Sequence, residues 1–475
     1  MSSNPLLSLS LNQLLALPNR EIYLLPADQV AEYQLVLLRK RFSDLRSRIA
    51  ALGKLADLQG VQEIRAIEDV APVLFQHTTY KSYPMSLIEK RRFQAMTKWL
   101  GQLTVHDLSG VDASACDSID SWFEVLDRET PLELLHSTGT TGKLSIIPRD
   151  KAESERFVRQ TLKGFEGFGD EPDIVSDLLE DGVKVPVIYP SYRYGRHIAQ
   201  RMLEGYIRLV GKPGACKALF DEMLSADVSS LAGRVKAAEE RGELDQLEIA
   251  PELLEKYRQS MDRQTTAAIR LKEFFDFMME TCRGQRVMSA AVVPYLWSWT
   301  QAAEAQGLHS VFAPNSIFTS GGGLKGTVAP PDWRARIERF LGAPLNIGYG
   351  MTESMSGMRM CKHGHYHPAP SLISILLDTE TGEPLPRTGV QTGRFALFDL
   401  MAESYWGGFV TGDRVTMVYE QNCPCGRVGA YALDDIRRFS ELEGGDDKIS
   451  CAGAADAHER AIEYLIERAT AEAAR

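Results

Sequence analysis

The chain has 475 residues, of which 44% are hydrophobic and 25% are charged, and its formal net charge is -11. These proportions exclude a disordered or fibrous protein, and the acidic balance argues against binding to duplex nucleic acid, which needs a basic face. No apolar run approaches the roughly 18 residues of a membrane span, and an odd number of cysteines spread through a large chain fits a reducing compartment. We therefore expect a cytoplasmic protein with no membrane span.

The predicted elements indicate an α/β fold. Apolar residues at helical spacing predict one long amphipathic helix over residues 28–58, and a short strand follows at 71–75. From about 151 to 312 the chain is predicted to be mainly helical, with short strands at 186–190 and 286–293. Beyond that segment strand-like runs become dense. We expect sheet layers flanked by helices and a sheet-rich second half.

The segment STGTTGK, residues 137–143, combines small and hydroxyl-bearing residues ahead of one lysine. Glycines permit tight turns in which successive backbone N–H groups and hydroxyls converge, and such a turn suits an anion. The spacing differs from the nucleotide-binding GxxxxGK[ST] loop, because Gly139 and Gly142 are too close together and a leucine follows Lys143. Taken alone, the segment fits a polar turn as well as a phosphate-binding loop.

Three later segments give this loop a context: TSGGGLKG at 319–326, GYGMTE at 348–353 and TGDRV at 411–415. Together with STGTTGK, and in this order, they resemble the triphosphate, adenine-side, central and ribose-binding motifs of the adenylate-forming (acyl-activating) superfamily. Within it the chain is most similar to the phenylacetate-CoA ligases and, more so, to the acyl-protein synthetases of bacterial luminescence, through GGGLKG, GMTE and CPCGR. The likeness covers roughly residues 130–450.

The resemblance implies the large N-terminal domain of an enzyme that uses ATP and Mg²⁺ to activate a carboxylic acid as an acyl-adenylate, with release of pyrophosphate. In that reaction a carboxylate attacks the α-phosphate, so two anions must be brought together by cations and directed donors. The nucleotide-binding residues that the resemblance implies are Ser137, Thr138, Gly139, Thr140, Thr141, Gly142, Lys143, Gly321, Gly322, Gly323, Tyr349, Gly350, Met351, Thr352, Asp413 and Arg427.

The same resemblance implies roles in the reaction. Thr352 would bond the α-phosphate, and Glu353 would ligate Mg²⁺, a hard ion that prefers carboxylate and phosphate oxygens. Asp413 would accept both ribose hydroxyls. The lysine of the family's C-terminal domain has no counterpart in this chain, so Lys325 and Lys143 are the candidates to supply positive charge to the reaction, with Arg427 a weaker one. Taken alone, each carboxylate has a plainer explanation, Glu353 at a helix start and Asp413 in a turn.

Cysteine and histidine pairs predict a metal site. Cys423 and Cys425 form a C-P-C turn, and Cys361 and His367 form a second close pair upstream. Two separated pairs of sulfur and nitrogen ligands are what a tetrahedral structural zinc ion requires, and the similar ligases include members with zinc at these positions. His367 has the family-like spacing, but the other two histidines of CKHGHYH alternate with it, so the choice stays open. The alternative is buried free thiols beside unrelated histidines.

The family pattern fails toward the C-terminus. The segment GGDDKISCAG resembles the hinge before the family's mobile C-terminal domain, but Gly445 stands where the family has arginine. The residues after it predict one amphipathic helix without lysine, so we expect the lid domain to be absent or vestigial. The luminescence synthetases pass the acyl group to a cysteine of their own. Cys451 lies three residues before the best-matching position, Ala454, and a small buried residue is the plainer explanation.

The leading hypothesis is activation of a small carboxylic acid followed by acyl transfer to a thiol or amine acceptor, which would be CoA, a carrier protein or a partner enzyme. The alternatives are an acyl-CoA ligase with a partner-supplied lid and a catalytically inactive nucleotide-binding protein. Four segments are predicted: 1–130 as the first part of the large domain, 131–314 as an α/β subdomain with the phosphate loop, 315–443 as a sheet-rich nucleotide and zinc subdomain, and 444–475 as a hinge remnant and C-terminal helix.

Overall fold

The structure is a computed structural model, and it describes residues 4–137, 143–247, 249, 251–321, 328–442, 460 and 463–467. The chain divides into two compact units. Unit 1 comprises Met1–Leu135, Ser145–Gln160 and Gly350–Arg475, and unit 2 comprises His136–Leu144 and Thr161–Tyr349. The predicted phosphate and adenine-side segments thus belong to unit 2, whereas TGDRV and the cysteine pairs belong to unit 1.

The helices are numbered along the chain. They are α1 Leu11–Ala16, α2 Asn19–Ile22, α3 Ala27–Arg46, α4 Ala50–Gln59, α5 Met85–Glu89, α6 Phe93–Gly101, α7 Ile119–Glu129, α8 Lys151–Lys163, α9 Ser176–Leu179, α10 Ile198–Val210, α11 Ala226–Arg241, α12 Pro251–Thr265, α13 Ala267–Phe277, α14 Val293–Ala305 and α15 Trp333–Leu341. A π-helix, Met278–Cys282, continues α13. Serine N-caps begin α7 and α11, where Ser118 and Ser225 accept bonds from backbone N–H groups of the first turn.

The strands are numbered in the same way. They are β1 Phe75–Gln76, β2 Leu135–His136, β3 Ile146–Ile147, β4 Val185–Gly195, β5 Gly211–Leu224, β6 Met288–Ala290, β7 Ile317–Gly321, β8 Leu345–Tyr349, β9 Met358–Met360, β10 Tyr366–Pro368, β11 Leu372–Leu377, β12 Val390–Asp399, β13 Gly408–Val418, β14 Tyr431–Ala432 and β15 Arg437–Arg438. Short 3₁₀ helices lie at Pro5–Ser8, Ile67–Val73, Thr79–Lys81, Leu244–Gln246 and Phe439–Glu441.

Unit 2 is built on a parallel sheet in the order β5-β4-β6-β7-β8. Parallel strands need crossover connections, and α10, α14 and α15 supply them between β4 and β5, β6 and β7, and β7 and β8. Strands and helices share one apolar core, which includes Phe318 of β7, Trp299 of α14 and Phe340 of α15. This core fixes the carboxyl ends of β7 and β8 next to each other.

Unit 1 holds an antiparallel sheet in the order β11-β12-β13-β14-β10-β9, and β1 and β15 both pair with β13. Every residue of β11 is buried. Gln34 of α3 reaches this sheet and donates to the carbonyl oxygens of Pro370 and Leu372. Trp406 ties helix to sheet, because Phe42 of α3 and Phe398 of β12 both contact its ring edge to face.

The single helix predicted over residues 28–58 is wrong, since the structure has two helices, α3 and α4, in that segment. Ile49 between them is extended and fully buried. The backbone N–H of Ala51 donates to the carbonyl of Gln102, after α6, at 3.1 Å. A tertiary hydrogen bond and a buried side chain therefore end the first helix, although the helical spacing of apolar residues continues.

The mainly helical prediction for 151–312 is wrong at Gly211–Leu224, which forms the long strand β5. Pro213 and the glycines near its start suit a strand at the edge of a sheet. The strand predicted at 71–75 is mostly the 3₁₀ helix Ile67–Val73, with β1 only at its end. The strands predicted at 186–190 and 286–293 are confirmed as β4 and β6, with β4 longer and β6 shorter than predicted.

The α/β class is confirmed, with sheets flanked by helices and a strand-rich part after residue 315. Each strand-like run predicted in that part corresponds to one of β7, β8, β11, β12 and β13. The predicted C-terminal helix is present at 460 and 463–467, where Leu465 is buried. Among the described residues, none of the helices has both the length and the apolar character that crossing a bilayer demands.

Candidate active site and metal cluster

The GMTE turn, residues 350–353, is followed by a segment that one buried carboxylate holds. Asp399 is the last residue of β12, and its exposed fraction is 0%. Its Oδ2 accepts hydrogen bonds from Ser354 Oγ at 3.0 Å and from the backbone N–H groups of Met355 and Ser356 at 2.6 and 2.7 Å. Its Oδ1 accepts from Ser356 Oγ at 2.9 Å. These donors satisfy the buried charge, so they also fix the backbone after the turn.

Arg149 holds the GMTE turn from its carbonyl side. The side chain is fully buried, and its Nη2 donates to the carbonyl oxygens of Thr352 and Ser354 at 3.2 and 3.4 Å. The guanidinium carbon lies 4.7 Å from the centroid of the Phe157 ring, a cation–π contact. Because a buried cation is costly without partners, these contacts restrain the turn.

Glu353 lies partly buried at the turn, and its carbonyl accepts a hydrogen bond from Tyr405 Oη at 3.1 Å. Burial raises the pKa of its carboxyl, while hydrogen bonds from its own backbone and from Ser145, and the positive charges of Lys81 and Arg438, act in the opposite direction. Carboxylate oxygens are the ligands that Mg²⁺ prefers. The nearby cations would attract phosphate to the same place.

Asp413 lies in β13, and its side chain is 14% exposed. It stands opposite Arg438 of β15 in the antiparallel register, and Arg438 Nε is 3.8 Å from Asp413 Oδ1. The charge of Arg438 also acts on the pKa of Glu353. The structure therefore places Asp413 beside the guanidinium of Arg438, and the charge of that guanidinium also acts on the carboxyl of Glu353.

Two predicted adenine-side residues end neighbouring strands of unit 2. Gly321 ends β7 and Tyr349 ends β8, with Gly321 paired to Gly348. The carboxyl ends of parallel strands are where open α/β sheets bind their ligands. In unit 1, a Cβ placed on Gly350 would meet no described atom within 4 Å, so the backbone there is open to a ligand.

Ser137 and Lys143 flank the predicted phosphate loop in unit 2. His136, just before them, is fully buried; its backbone N–H donates to the carbonyl of Arg196 at 3.0 Å, and its Nδ1 lies 2.8 Å from the carbonyl oxygen of Ser137. The loop thus leaves from a fixed strand end. Its residues 138–142 lie outside the described residues, as do Gly322, Gly323, Lys325 and Cys451, and their roles stay predictions.

The structure brings together the four predicted metal ligands Cys361, His367, Cys423 and Cys425, whose sulfur and nitrogen atoms all lie within 4.8 Å of one another. Cys361 Sγ is 3.8 Å from Cys423 Sγ, and His367 Nε2 is 3.4 Å from Cys425 Sγ. Tetrahedral zinc with Zn–S of about 2.3 Å and Zn–N of about 2.0 Å separates such pairs by about 3.8 and 3.5 Å. We call these four residues the cysteine cluster.

The protonation states within the cysteine cluster suit a metal ion. Burial lowers the pKa of His367 to about 3, which keeps its imidazole neutral and able to ligate. Burial raises the pKa of Cys423 to about 12, so this thiol ionises when a metal ion replaces its proton. For Cys425 burial opposes ionisation, but hydrogen bonds from the backbone and side chain of Arg427 prevail, and its pKa is lowered.

His365 and Arg427 lie beside the cysteine cluster. His365 Nδ1 is 3.1 Å from Cys423 Sγ, and its ring stacks on Tyr431 with centroids 4.5 Å apart. A ring N–H that donates a hydrogen bond to the sulfur of a metal ligand orients that ligand. Arg427 is 7% exposed, and its Nη1 is 3.5 Å from Cys425 Sγ. These contacts place Arg427 at the cluster, and a contact with nucleotide stays a prediction for it.

Sequence reasoning missed four residues whose contacts or charges act on the GMTE turn, on the segment that follows it or on the candidate carboxylates: Lys81, Arg149, Asp399 and Arg438. Asp399 had one usable signal, because it interrupts the apolar run FALFDLM, and a charge inside a buried strand needs partners. The other three carry no motif. Their contacts join segments far apart in the chain, which spacing along the sequence does not reveal.

No protein-family model and no curated protein sequence matches the chain. Among solved structures, 2-hydroxyisobutyryl-CoA ligase in complex with 2-HIB-AMP and CoA is 14% identical and covers 88% of this chain and 72% of its own, with a TM-score of 0.49. ATP-bound MatB from Rhodopseudomonas palustris is 15% identical over 63% of this chain and 46% of its own, with a TM-score of 0.33. Identities and TM-scores this low do not establish a reaction for this chain.

Replacing Asp399 with asparagine should lower the free energy of unfolding by about 3 kcal/mol, because the amide NH₂ would face N–H and O–H donors. Urea denaturation followed by tryptophan fluorescence measures the change. Asp107→Asn is the matched control, since that exposed carboxylate accepts a bond from a single nearby backbone N–H, that of Ser109. Equal midpoints for the two variants would show that Asp399 does not hold the segment after the GMTE turn.

Proposed function

We propose that this chain is an adenylate-forming ligase, which uses ATP and Mg²⁺ to activate a carboxylic acid as an acyl-adenylate and then transfers the acyl group to a thiol or amine. The observation that carries the proposal is the ion pair of Asp413 with Arg438, whose charge also acts on the carboxyl of Glu353. The restrained GMTE turn supports it, since phosphoryl chemistry needs donors and charges held in place before the substrates arrive.

The proposed reaction joins two anions, the carboxylate of the acid and the α-phosphate of ATP, so positive charge must lie close to both. Arg438 and Lys81, whose charges both act on Glu353, would supply it within unit 1. Lys143 borders the phosphate loop in unit 2, and Lys325 is a further candidate by its motif. Mg²⁺ held by Glu353 would neutralise phosphate charge.

Thr352 and Asp413 would orient the nucleotide. The carbonyl of Thr352 is engaged by Arg149, which fixes the residue while its partly buried hydroxyl remains the group available to an α-phosphate oxygen. Asp413 offers two carboxylate oxygens to the two ribose hydroxyls. Its ion pair with Arg438 is long, at 3.8 Å, so a hydroxyl can compete for the same oxygen.

The first test is acid-dependent exchange of labelled pyrophosphate into ATP, across a panel of aromatic and aliphatic acids. We expect exchange with at least one acid and a fall of about 100-fold or more in Glu353→Gln, because a neutral amide is a poor ligand for Mg²⁺. Glu380→Gln, which removes an exposed carboxylate between β11 and β12, is the control and should keep the wild-type rate. Folded protein that exchanges with no acid would refute the proposed activation.

The second test addresses the ribose. Asp413→Asn should raise the KM for ATP by about 10- to 100-fold, because it replaces an ionised acceptor with a neutral one. The variant should also discriminate less than the wild type between ATP and 2′-deoxy-ATP, whereas a merely structural defect would weaken both nucleotides alike. Unchanged discrimination between the two nucleotides would remove Asp413 from the ribose site.

The acyl acceptor is proposed as a thiol or an amine of CoA, a carrier protein or a partner enzyme. Consumption of CoA by the purified chain with acid and ATP would identify a CoA ligase. Transfer that occurs only with an added protein would identify a carrier or a partner. Binding of ATP without pyrophosphate release for any acid would identify a nucleotide-binding protein that does not catalyse.

We further propose that the cysteine cluster binds a structural zinc ion. Three thiolates and one imidazole are soft and borderline ligands, which favour zinc over Mg²⁺ or Ca²⁺. Four protein ligands leave no coordination position for water, so the ion would not take part in the reaction. It would join the β9–β10 hairpin, which carries Cys361 and His367, to the loop between β13 and β14, which carries the other two ligands.

Metal analysis tests the zinc proposal. We expect about one zinc ion per chain by mass spectrometry, and a loss of most of it in Cys423→Ser, because that substitution removes a thiolate ligand. Cys116→Ser is the matched control, since Cys116 is also a buried free thiol of unit 1 but lies outside the cluster. Equal zinc content in the two variants would overturn the assignment.

A further inference from the structure

Unit 1 contains a cavity of about 300 Å³, and the described residues that line it include none from the proposed reaction site. Its walls are the end of α2 and the start of α3, the segment after β10, strand β11 and the loop before β14. Apolar side chains form most of the wall, among them Ile22, Leu25, Val30, Leu372 and Val428. A cavity of this volume is at the lower end of small-molecule sites.

The walls are joined by hydrogen bonds, so the cavity is preformed. Gln34 of α3 donates to the carbonyl oxygens of Pro370 and Leu372 at 3.0 and 3.3 Å. The backbone N–H of Val428 donates to the carbonyl of Tyr23 at 2.8 Å. A rigid cavity loses little conformational freedom when a ligand enters, which favours binding of a small molecule.

Arg387 contacts two other polar residues of the wall, Ser374 and Tyr419. Arg387 Nη1 donates to the carbonyl of Ser374 at 2.9 Å, and its guanidinium carbon lies 5.8 Å from the centroid of the Tyr419 ring. The hydroxyl oxygens of Ser374 and Tyr419 are shielded from solvent and have no hydrogen-bond partner among the described residues. Buried hydroxyls without partners are rare and unfavourable, so two of them beside one cation indicate a site for an acceptor.

The charges around this group favour an anion. Arg387 is the one cation among the described lining residues, and the one acid, Asp28, lies exposed at the start of α3, where solvent screens it. Burial raises the pKa of Tyr419, with Glu68 adding to the rise and Arg387 opposing it. The phenol therefore stays protonated near neutral pH and can donate a hydrogen bond.

We propose that this cavity is a binding site for a small amphipathic carboxylate, with the carboxylate at Arg387, Tyr419 and Ser374 and the apolar chain along Ile22, Leu25 and Leu372. A straight chain of about eight carbons fits the volume. The site is independent of the acid activation proposed above, because it uses none of the same residues.

The test uses octanoate, octanol and a diazirine-bearing analogue of octanoate with the intact chain. Photolysis followed by peptide mapping should label residues of the cavity wall, in 22–34 or 368–374, and labelling should persist in Thr352→Ala, which alters the proposed reaction site instead. Labelling confined to other segments, or abolished by Thr352→Ala, would overturn the proposal.

Calorimetry with the two probes tests the polar group. Arg387→Leu should weaken the binding of octanoate by about tenfold or more and change the affinity for octanol by no more than about twofold. Only the carboxylate of octanoate contacts the guanidinium in the proposed site. Arg387→Lys should recover part of the affinity. Tyr419→Phe removes one hydroxyl without changing the packing, so it serves if Arg387→Leu fails to fold, and it should weaken octanoate by about three- to tenfold. The proposal would be overturned if octanoate bound the wild type and Tyr419→Phe with equal affinity. It would also be overturned if the substitutions weakened the binding of octanol as much as the binding of octanoate.

Discussion

The carboxylate of Asp399 is the group on which the proposed reaction site of unit 1 depends. It is fully buried and is solvated by N–H and O–H groups of the segment after the GMTE turn. Arg149 has the opposite charge and is equally buried, and it donates hydrogen bonds to the carbonyl oxygens of Thr352 and Ser354. Within the described chain no ion pair joins these two side chains, so each charge is compensated by the backbone between them. A conformation that moved the carbonyl of Thr352 away would cost the buried Arg149 one of its two backbone acceptors, which favours the observed turn.

Sequence periodicity located the strands of unit 1 well, because β11, β12 and β13 are runs of apolar residues bounded by glycine and acidic residues. The cysteine cluster was also predictable, because its ligands come as two close pairs of a residue type with few other uses. The break at Ile49 and the strand β5 were missed, since each depends on a neighbour distant in the chain: Gln102 in the first case and β4 in the second. The partners of Asp399 and Arg149 were missed for the same reason. Polar contacts between residues far apart in the chain leave no periodic pattern in the sequence.

The charged residues of the proposed site in unit 1 differ in how far they are buried. Arg438 forms an ion pair with Asp413, and its positive charge opposes the rise that burial causes in the pKa of Glu353. The side chain of Arg438 is itself 66% exposed. Arg438 lies in the exposed strand β15, so its guanidinium is accessible to an incoming phosphate. The buried charges therefore fix the backbone, whereas the exposed one is available to substrate.

An ion held by the cysteine cluster would also constrain the unfolded chain for as long as its ligands kept it. Cys361 and Cys423 are 62 residues apart, and a bound ion would connect them as a covalent bridge does. By the loop-entropy estimate used for disulfides, a crosslink over such a span removes about 4 kcal/mol of chain freedom from the denatured ensemble. The connected stretch contains β10, β11, β12 and β13, the centre of the antiparallel sheet. A metal ion held by residues outside the proposed reaction site would in this way make the strands that carry Asp399 and Asp413 unfold together.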